Sequence, residues 1–101
     1  MSDPDAGGGA DDIHTRELTI LNKKGLHARA SARFVETVSL FDAAVLVEKD
    51  GEEVSGNDLL GLLMLAASQG SKIIVSATGA EAGAAIGALE ALLADRFGEE
   101  S

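Results

Sequence analysis

"KKGLHARASARFV" occupies residues 23 to 35, and its reading decides where a first strand stops, where a first helix starts and where an anion would sit. Lys23, Lys24, Arg29 and Arg33 are four of the eight basic residues in a chain that has seventeen Asp and Glu and a net charge of −9, and no acidic residue interrupts them. A change of sign this sharp points to a local anion site on a molecule that otherwise repels polyanions. Gly25 breaks the pattern before it and helical spacing begins at Ala28, so His27 stands at or beside the N-cap, where first-turn amides have no intrahelical partner. The helix contributes an effective charge of about +0.5 at that end. Arg29, two residues in, can turn back a guanidinium with paired donors. An anion on the His27 ring is thus met from two sides, and the imidazole adds what passive binding does not need, a nucleophilic nitrogen.

Outward from this stretch the chain divides into short elements. "MSDPDAGGGADD" is polar and glycine-rich and cannot bury enough surface to offset the entropy of ordering it, so residues 1–14 are expected as a disordered tail. Leu18 and Ile20 alternate with Glu17 and Thr19, which predicts strand 1 from Arg16 to Leu21. The spacing of Ala32, Val35 and Val38 predicts helix 1 from Ala28 to about Leu40. "DAAVLVEK" alternates as strand 2, and Asp50-Gly51 is a strong hairpin signal leading into strand 3 at Glu52–Ser55. "GND" offers N-caps for helix 2, "LLGLLMLAA", with Gly70 as its terminating glycine. "SKIIVSAT" reads as strand 4, with Ile73, Val75 and Ala77 on one face. Ala82, Ala85, Ile86, Leu89, Leu92, Leu93 and Phe97 then form the stripe of helix 3, from about Ala80 to Phe97, closed by Gly98.

The order β-α-β-β-α-β-α, with one apolar face on most strands, favours an α+β two-layer sandwich: an antiparallel sheet covered by three helices on one side. The domain is expected over 15–98, with 99–101 as a C-terminal tail. Gly83 and Gly87 inside helix 3 each cost about 1 kcal/mol against alanine, which predicts a neighbouring backbone close by.

Composition excludes several classes. There is no cysteine, hence no disulfide framework, thiolate metal site or cysteine nucleophile, and His14 and His27 are the only histidines. His27 has no second ordered histidine and no carboxylate near it in sequence, so a metal site is disfavoured and no cofactor is expected. Ser31 lies one turn after His27 without a nucleophile elbow, which disfavours serine hydrolysis. His14 falls in the tail and receives no role. Net charge −9, with three Phe as the only aromatic residues, argues against nucleic acid as a partner. No apolar run approaches a membrane span and the first residues are acidic, so a soluble, unprocessed, cytoplasmic protein is expected. Helix 2 has six large apolar residues in the seven positions 59 to 65, more than one buried stripe absorbs. Leu62 and Leu65 are expected inside, and Leu59, Leu60 and Leu63 partly outside.

"NKKGLHARASARFV" resembles the active-site segment of the HPr family, the histidine phosphocarriers of the bacterial phosphotransferase system, written GLHxRPA with an aromatic residue shortly after. The resemblance runs from about Arg16 to Phe97 through "FDAAVLVEKDG" and "LLGLLMLAASQGSKIIVSATG". It implies strand order 1-4-2-3, which periodicity alone leaves open. It also implies that His27 takes a phosphoryl group from phospho-enzyme I and passes it to an EIIA-type domain, with Arg29 contacting the group and Ala28 and Arg29 donating backbone N–H. Such a chain is a phosphoryl-transfer intermediate rather than a turnover enzyme, and acts as a monomer. Leu59, Leu60, Leu63 and Arg33 are then the partner-binding surface. "FDAAVLVEKDG", "LLMLAA" and "VSATGAEA" look closer to the nitrogen-related type, NPr.

Two positions depart from the family pattern. Ala30 replaces the usual proline, and since alanine is a good helix former the helix start should stay intact. Asp58 stands where many relatives carry a regulatory serine, and reads first as a helix-start carboxylate. A rival function remains open at this point: a non-transferring regulatory module that binds through helix 2 and uses His27 and Arg29 only as an anion site.

Overall fold

The computed structural model describes residues 13–101. The elements are β1 (His14–Thr19), α1 (Ala28–Ser39), β2 (Ala44–Lys49), β3 (Glu52–Ser55), α2 (Leu59–Met64), β4 (Lys72–Thr78) and α3 (Ala82–Ala94), followed by a 3₁₀ turn at Arg96–Gly98. The strands form one antiparallel sheet in the order β1-β4-β2-β3. Element order, sheet order and helix count agree with the α+β sandwich expected from the sequence.

The period-two pattern places the core. Ile73, Val75 and Ala77 of β4 and Val45 and Val47 of β2 face the helices and are buried, whereas Leu46 and Ile74 lie on the open side. Val47 stands opposite Val75 in β4 and Val54 in β3, so neighbouring strands fill the same face in register. Asp50 and Gly51 both have positive φ, the geometry of the tight hairpin turn whose twist matches the flanking strands. Ile20, Phe34, Leu62, Leu89 and Phe97 close the interior from the other layer. Phe34 is completely buried, and truncating such a ring costs about 3–5 kcal/mol.

Several boundaries differ from the sequence expectation. β1 begins at His14 and ends at Thr19, with Ile20 buried just beyond it. The buried stripe of α1 runs through Ala30, Ser31, Phe34 and Val38. Ala32 and Val35 sit on its flank and Leu40 is exposed, because the helix rotates to place the largest ring, Phe34, inside. α2 is short: Leu65 caps it and Ala66 takes a positive φ, so the chain leaves the helix before Gly70. α3 stops at Ala94, and Leu92 is only partly buried.

The two helix glycines also differ from expectation. Gly83 faces the ring of His14 rather than a backbone, and Gly87 has nothing within 4 Å of where a Cβ would stand. His14 is therefore an ordered strand residue packed over α3. Of the other residues assigned to the tail, Ile13 is exposed just before β1 and 1–12 lie outside the described residues.

Candidate functional site

The loop between β1 and α1 fixes where His27 enters its helix. Asn22 is fully buried, and its Nδ2 donates to the Gly25 carbonyl at 2.8 Å while the Gly25 N–H returns to the Asn22 carbonyl at 3.2 Å. Gly25 has φ +67°, and a Cβ there would stand 2.4 Å from the Ala67 carbonyl oxygen, so only glycine fits. Leu26 N–H donates to that same carbonyl at 2.9 Å, which ties the loop to the segment that follows α2. His27 follows as the N-cap of α1, in extended backbone, and its carbonyl accepts the first helical bond from Ser31 at 2.8 Å. Ser31 itself is buried and donates its hydroxyl to the Leu26 carbonyl at 3.1 Å, a structural role that leaves no nucleophile there.

The two ring nitrogens of His27 have different partners. Nδ1 accepts the backbone N–H of Arg29 at 3.3 Å, inside the first turn. Nε2 lies 2.5 Å from Oε2 of Glu99, whose other oxygen accepts from Asn22 Nδ2 at 3.0 Å. A neutral imidazole has one N–H, so with Nδ1 accepting, the proton is on Nε2 and is donated to Glu99. Burial alone would raise the Glu99 carboxyl. The hydrogen bonds from His27 and Asn22, together with the nearness of the His27 ring and the Lys24 ammonium, outweigh it and hold the carboxyl below its ordinary value.

Around the ring opens a cleft of about 580 Å³ lined by Lys23, Lys24, His27, Ala28, Arg29 and Glu99, with the chain's last two residues at its rim. Among the described residues, Lys23, Lys24 and Arg29 make no ion pair, so three cations face a cleft where the helix adds its own positive end. Arg33 is exposed one helical turn after Arg29, its guanidinium beside Gly98. A larger hollow of about 730 Å³ beside Phe41 and Gly79 contains Asp42 but no histidine and no basic residue.

The sequence-derived residues thus fall into two groups. His27, Ala28 and Arg29 converge on the cleft, while Leu59 and Leu60 are exposed on α2 and Leu63 is half-buried beside them. Leu62 and Leu65 are inside, and Met64, 72% exposed, joins the outward patch. Asp58 is the N-cap of α2, its Oδ1 accepting the Gly61 N–H at 3.0 Å. Ala30 is fully buried in an intact first turn.

Asn22 and Glu99 are the residues that sequence reasoning missed. Asn22 read only as part of a strand-breaking "NKKG", and Glu99 as part of a tail, although the nearest carboxylate to His27 in space is this one, 72 residues away in sequence. Among the described residues no three His, Cys, Asp or Glu side chains group as a metal site, and no helix is long and apolar enough to cross a membrane.

Comparison with known proteins accords with this geometry. The family described as "PTS HPr component phosphorylation site" matches residues 14–95. The phosphocarrier protein HPr of Xylella fastidiosa is 42% identical over 85 residues, covering 84% of this chain and 96% of that protein. The phosphocarrier protein NPr of Shewanella violacea is 40% identical over 86 residues, covering 85% and 94%. Relatives of both names therefore match at similar identity, and the resemblance to the nitrogen-related type does not set that branch apart. The crystal structure of HPr-C-His from Thermoanaerobacter tengcongensis superposes with a TM-score of 0.84 at 41% identity, covering 87% of this chain and 99% of that one. A histidine at a helix start, amides and cations around it, and this sheet order together place the chain in the HPr family of phosphotransferase-system phosphocarriers.

Proposed function

We propose that His27 is the phosphoryl acceptor, charged by phospho-enzyme I and discharged to an EIIA-type domain. The observation that carries this reading is the division of labour on the ring: Nδ1 faces the α1 amides with its lone pair, and Nε2 is occupied by Glu99. In the transfer step the Nδ1 lone pair, released from the Arg29 N–H, attacks the phosphorus of the donor's phosphoimidazole. The new N–P bond forms at Nδ1, and the donor's N–P bond breaks with its electron pair returning to the donor nitrogen. No proton leaves His27, because the ring proton is already on Nε2.

The group arriving carries a charge of about −2. Arg29 and the backbone N–H groups of Ala28 and Arg29 are the donors offered to it, and Lys23 and Lys24 raise the local positive potential without enclosing the site. An open cleft suits a carrier, since donor and acceptor must each reach the same atom in turn. Leu59, Leu60, Leu63 and Met64 form the apolar part of the docking surface and Arg33 a charged part, with the loop that holds His27 bonded directly to the segment that follows α2.

Incubation with phosphoenolpyruvate and enzyme I, followed by intact-mass measurement, tests the assignment. The wild-type chain is expected to gain one phosphoryl mass and His27→Ala none. A variant lacking His27 that still gains the mass overturns it. A wild type that binds enzyme I without gaining mass would favour the non-transferring module.

A further inference from the structure

We propose, resting on His27 as the acceptor, that Glu99 is a positioning residue for the transfer. Its carboxylate takes the Nε2–H of His27 and so holds the ring in the tautomer, and at the orientation, that presents the Nδ1 lone pair to the helix start. Glu99 lies outside the residues 14–95 that match the family, so the family match does not assign it.

Three observations converge on this role. Both oxygens of the carboxylate are engaged, Oε2 with the His27 ring and Oε1 with Asn22, and Asn22 is itself fixed by complete burial and a second bond to Gly25. Glu99 therefore has one defined orientation, and the ring inherits it.

The backbone that delivers Glu99 is costly in its own right. Arg96, Phe97 and Gly98 take φ of +54°, +56° and +79°, three successive left-handed residues of which two are not glycine. Ending a helix needs only one. The extra strain is held by Phe97, whose ring is 1% exposed in the core, and by N–H bonds from Gly98 to Asp95 and from Glu99 to Arg96, both 2.9 Å. The turn doubles the chain back and sets Glu99 beside His27.

The third observation is chemical. When the N–P bond forms at Nδ1 and the donor's N–P bond breaks, the ring keeps its Nε2–H and gains cationic character. An anionic acceptor on Nε2 stabilises that charge as it develops, which is how a carboxylate behind a reacting imidazole acts. The carboxylate does not touch the phosphoryl group and takes no proton from the ring.

The test uses the full chain with ¹⁵N-labelled histidine. In the wild type a His27 Nε2–H resonance protected from solvent exchange is expected. In Glu99→Ala that resonance should be lost to exchange, with the amide spectrum of the sheet unchanged. Single-turnover transfer from phospho-enzyme I should slow about tenfold, the lower end of what losing a carboxylate partner does at a metal-ligating histidine, while affinity for enzyme I stays the same.

Glu99→Gln provides a second variant that retains the backbone contacts. Its amide oxygen can accept the Nε2–H, but its NH₂ then meets the Asn22 donor, so an intermediate rate is expected. Both changes in Glu99→Ala are required: a protected Nε2–H that survives, or a transfer rate that does not fall, overturns the inference. A wild type that gains no phosphoryl mass overturns the carrier reading instead, and the ring resonance still decides whether Glu99 fixes the tautomer.

Discussion

Helices α1 and α2 open with the same local device. His27 Nδ1 accepts a first-turn N–H at 3.3 Å, and Asp58 Oδ1 accepts one at 3.0 Å. Each side chain satisfies a backbone donor that would otherwise lack a partner. The difference lies in what else the capping atom is asked to do. A carboxylate at a helix start is a stable anion that suits the dipole and has no reason to leave. An imidazole makes a longer bond to the same kind of donor, and its single ring lone pair must leave that N–H before it can attack phosphorus. The α1 cap is chemically a loan: the Arg29 N–H that steadies the ring at rest is among those offered to a phosphoryl group on arrival. α2 instead presents its apolar side chains outward, and its start is merely anchored.

The strongest way to break this contrast is to give α1 the cap of α2. His27→Asn, the neutral counterpart of that cap, should keep the helix capped and the fold stable, and abolish phosphoryl acceptance completely as judged by intact mass after incubation with enzyme I and phosphoenolpyruvate. Retained acceptance would mean the cap atom is not the acceptor.

Next in size is Arg29→Ala, which removes a guanidinium but leaves the Arg29 backbone N–H in place. Transfer should slow by roughly 30-fold, less than for a donor in a closed site because water competes in an open cleft, while affinity for enzyme I changes little. Equal losses in rate and affinity would move Arg29 to the docking surface.

On the α2 side, Asp58→Asn should lower stability by under about 1 kcal/mol, because asparagine still caps and only the charge is lost. Phosphotransfer should be unchanged. A gain in enzyme I affinity that fades as salt rises would show instead that Asp58 tunes docking.

The smallest effect concerns pH. Glu99 has its folded-state carboxyl below the ordinary 4.5, so it contributes stability that is present above the unfolded value and is lost as pH falls through the lowered folded one. Denaturant unfolding of wild type and Glu99→Gln across that acidic window should show the wild type losing its advantage as pH drops. Parallel curves would mean that the carboxylate is not held by its partners in the folded state.

What could be read from sequence, and what could not, follows from the range of the interactions. His27 and Arg29 stand out because a cap and its first turn are contiguous, and the faces of β2 and β4 because period two is local. The rotation of α1 escaped because Phe34 competes with Val35 for the interior, and only the assembled layer decides which side chain fits. Strand order came from family likeness rather than from the pattern itself. Asn22 and Glu99 were invisible for a stronger reason. Their meeting depends on three left-handed residues after α3, and the helical stripe that ends in Phe97 gives no sign that the chain will turn back there.

That turn has a consequence in time. The bonds from Glu99 to His27 and Asn22 span 72 and 77 residues, so they can close only after α3 has docked on the sheet and seated Phe97. Closing so long a loop adds little entropy beyond that already lost when the sheet assembled, since the cost grows only with the logarithm of length. The ring's orientation nevertheless depends on contacts of the longest range, which require α3 to be docked. The reverse also holds. A segment held by one ring and a few end-of-chain bonds opens before the strands do, so the amides of Gly98 and Glu99 should exchange with solvent well ahead of those in β4. Opening of this turn alone would free the His27 ring while the sheet stays folded, and exchange at Gly98 and Glu99 ahead of β4 is the sign of it.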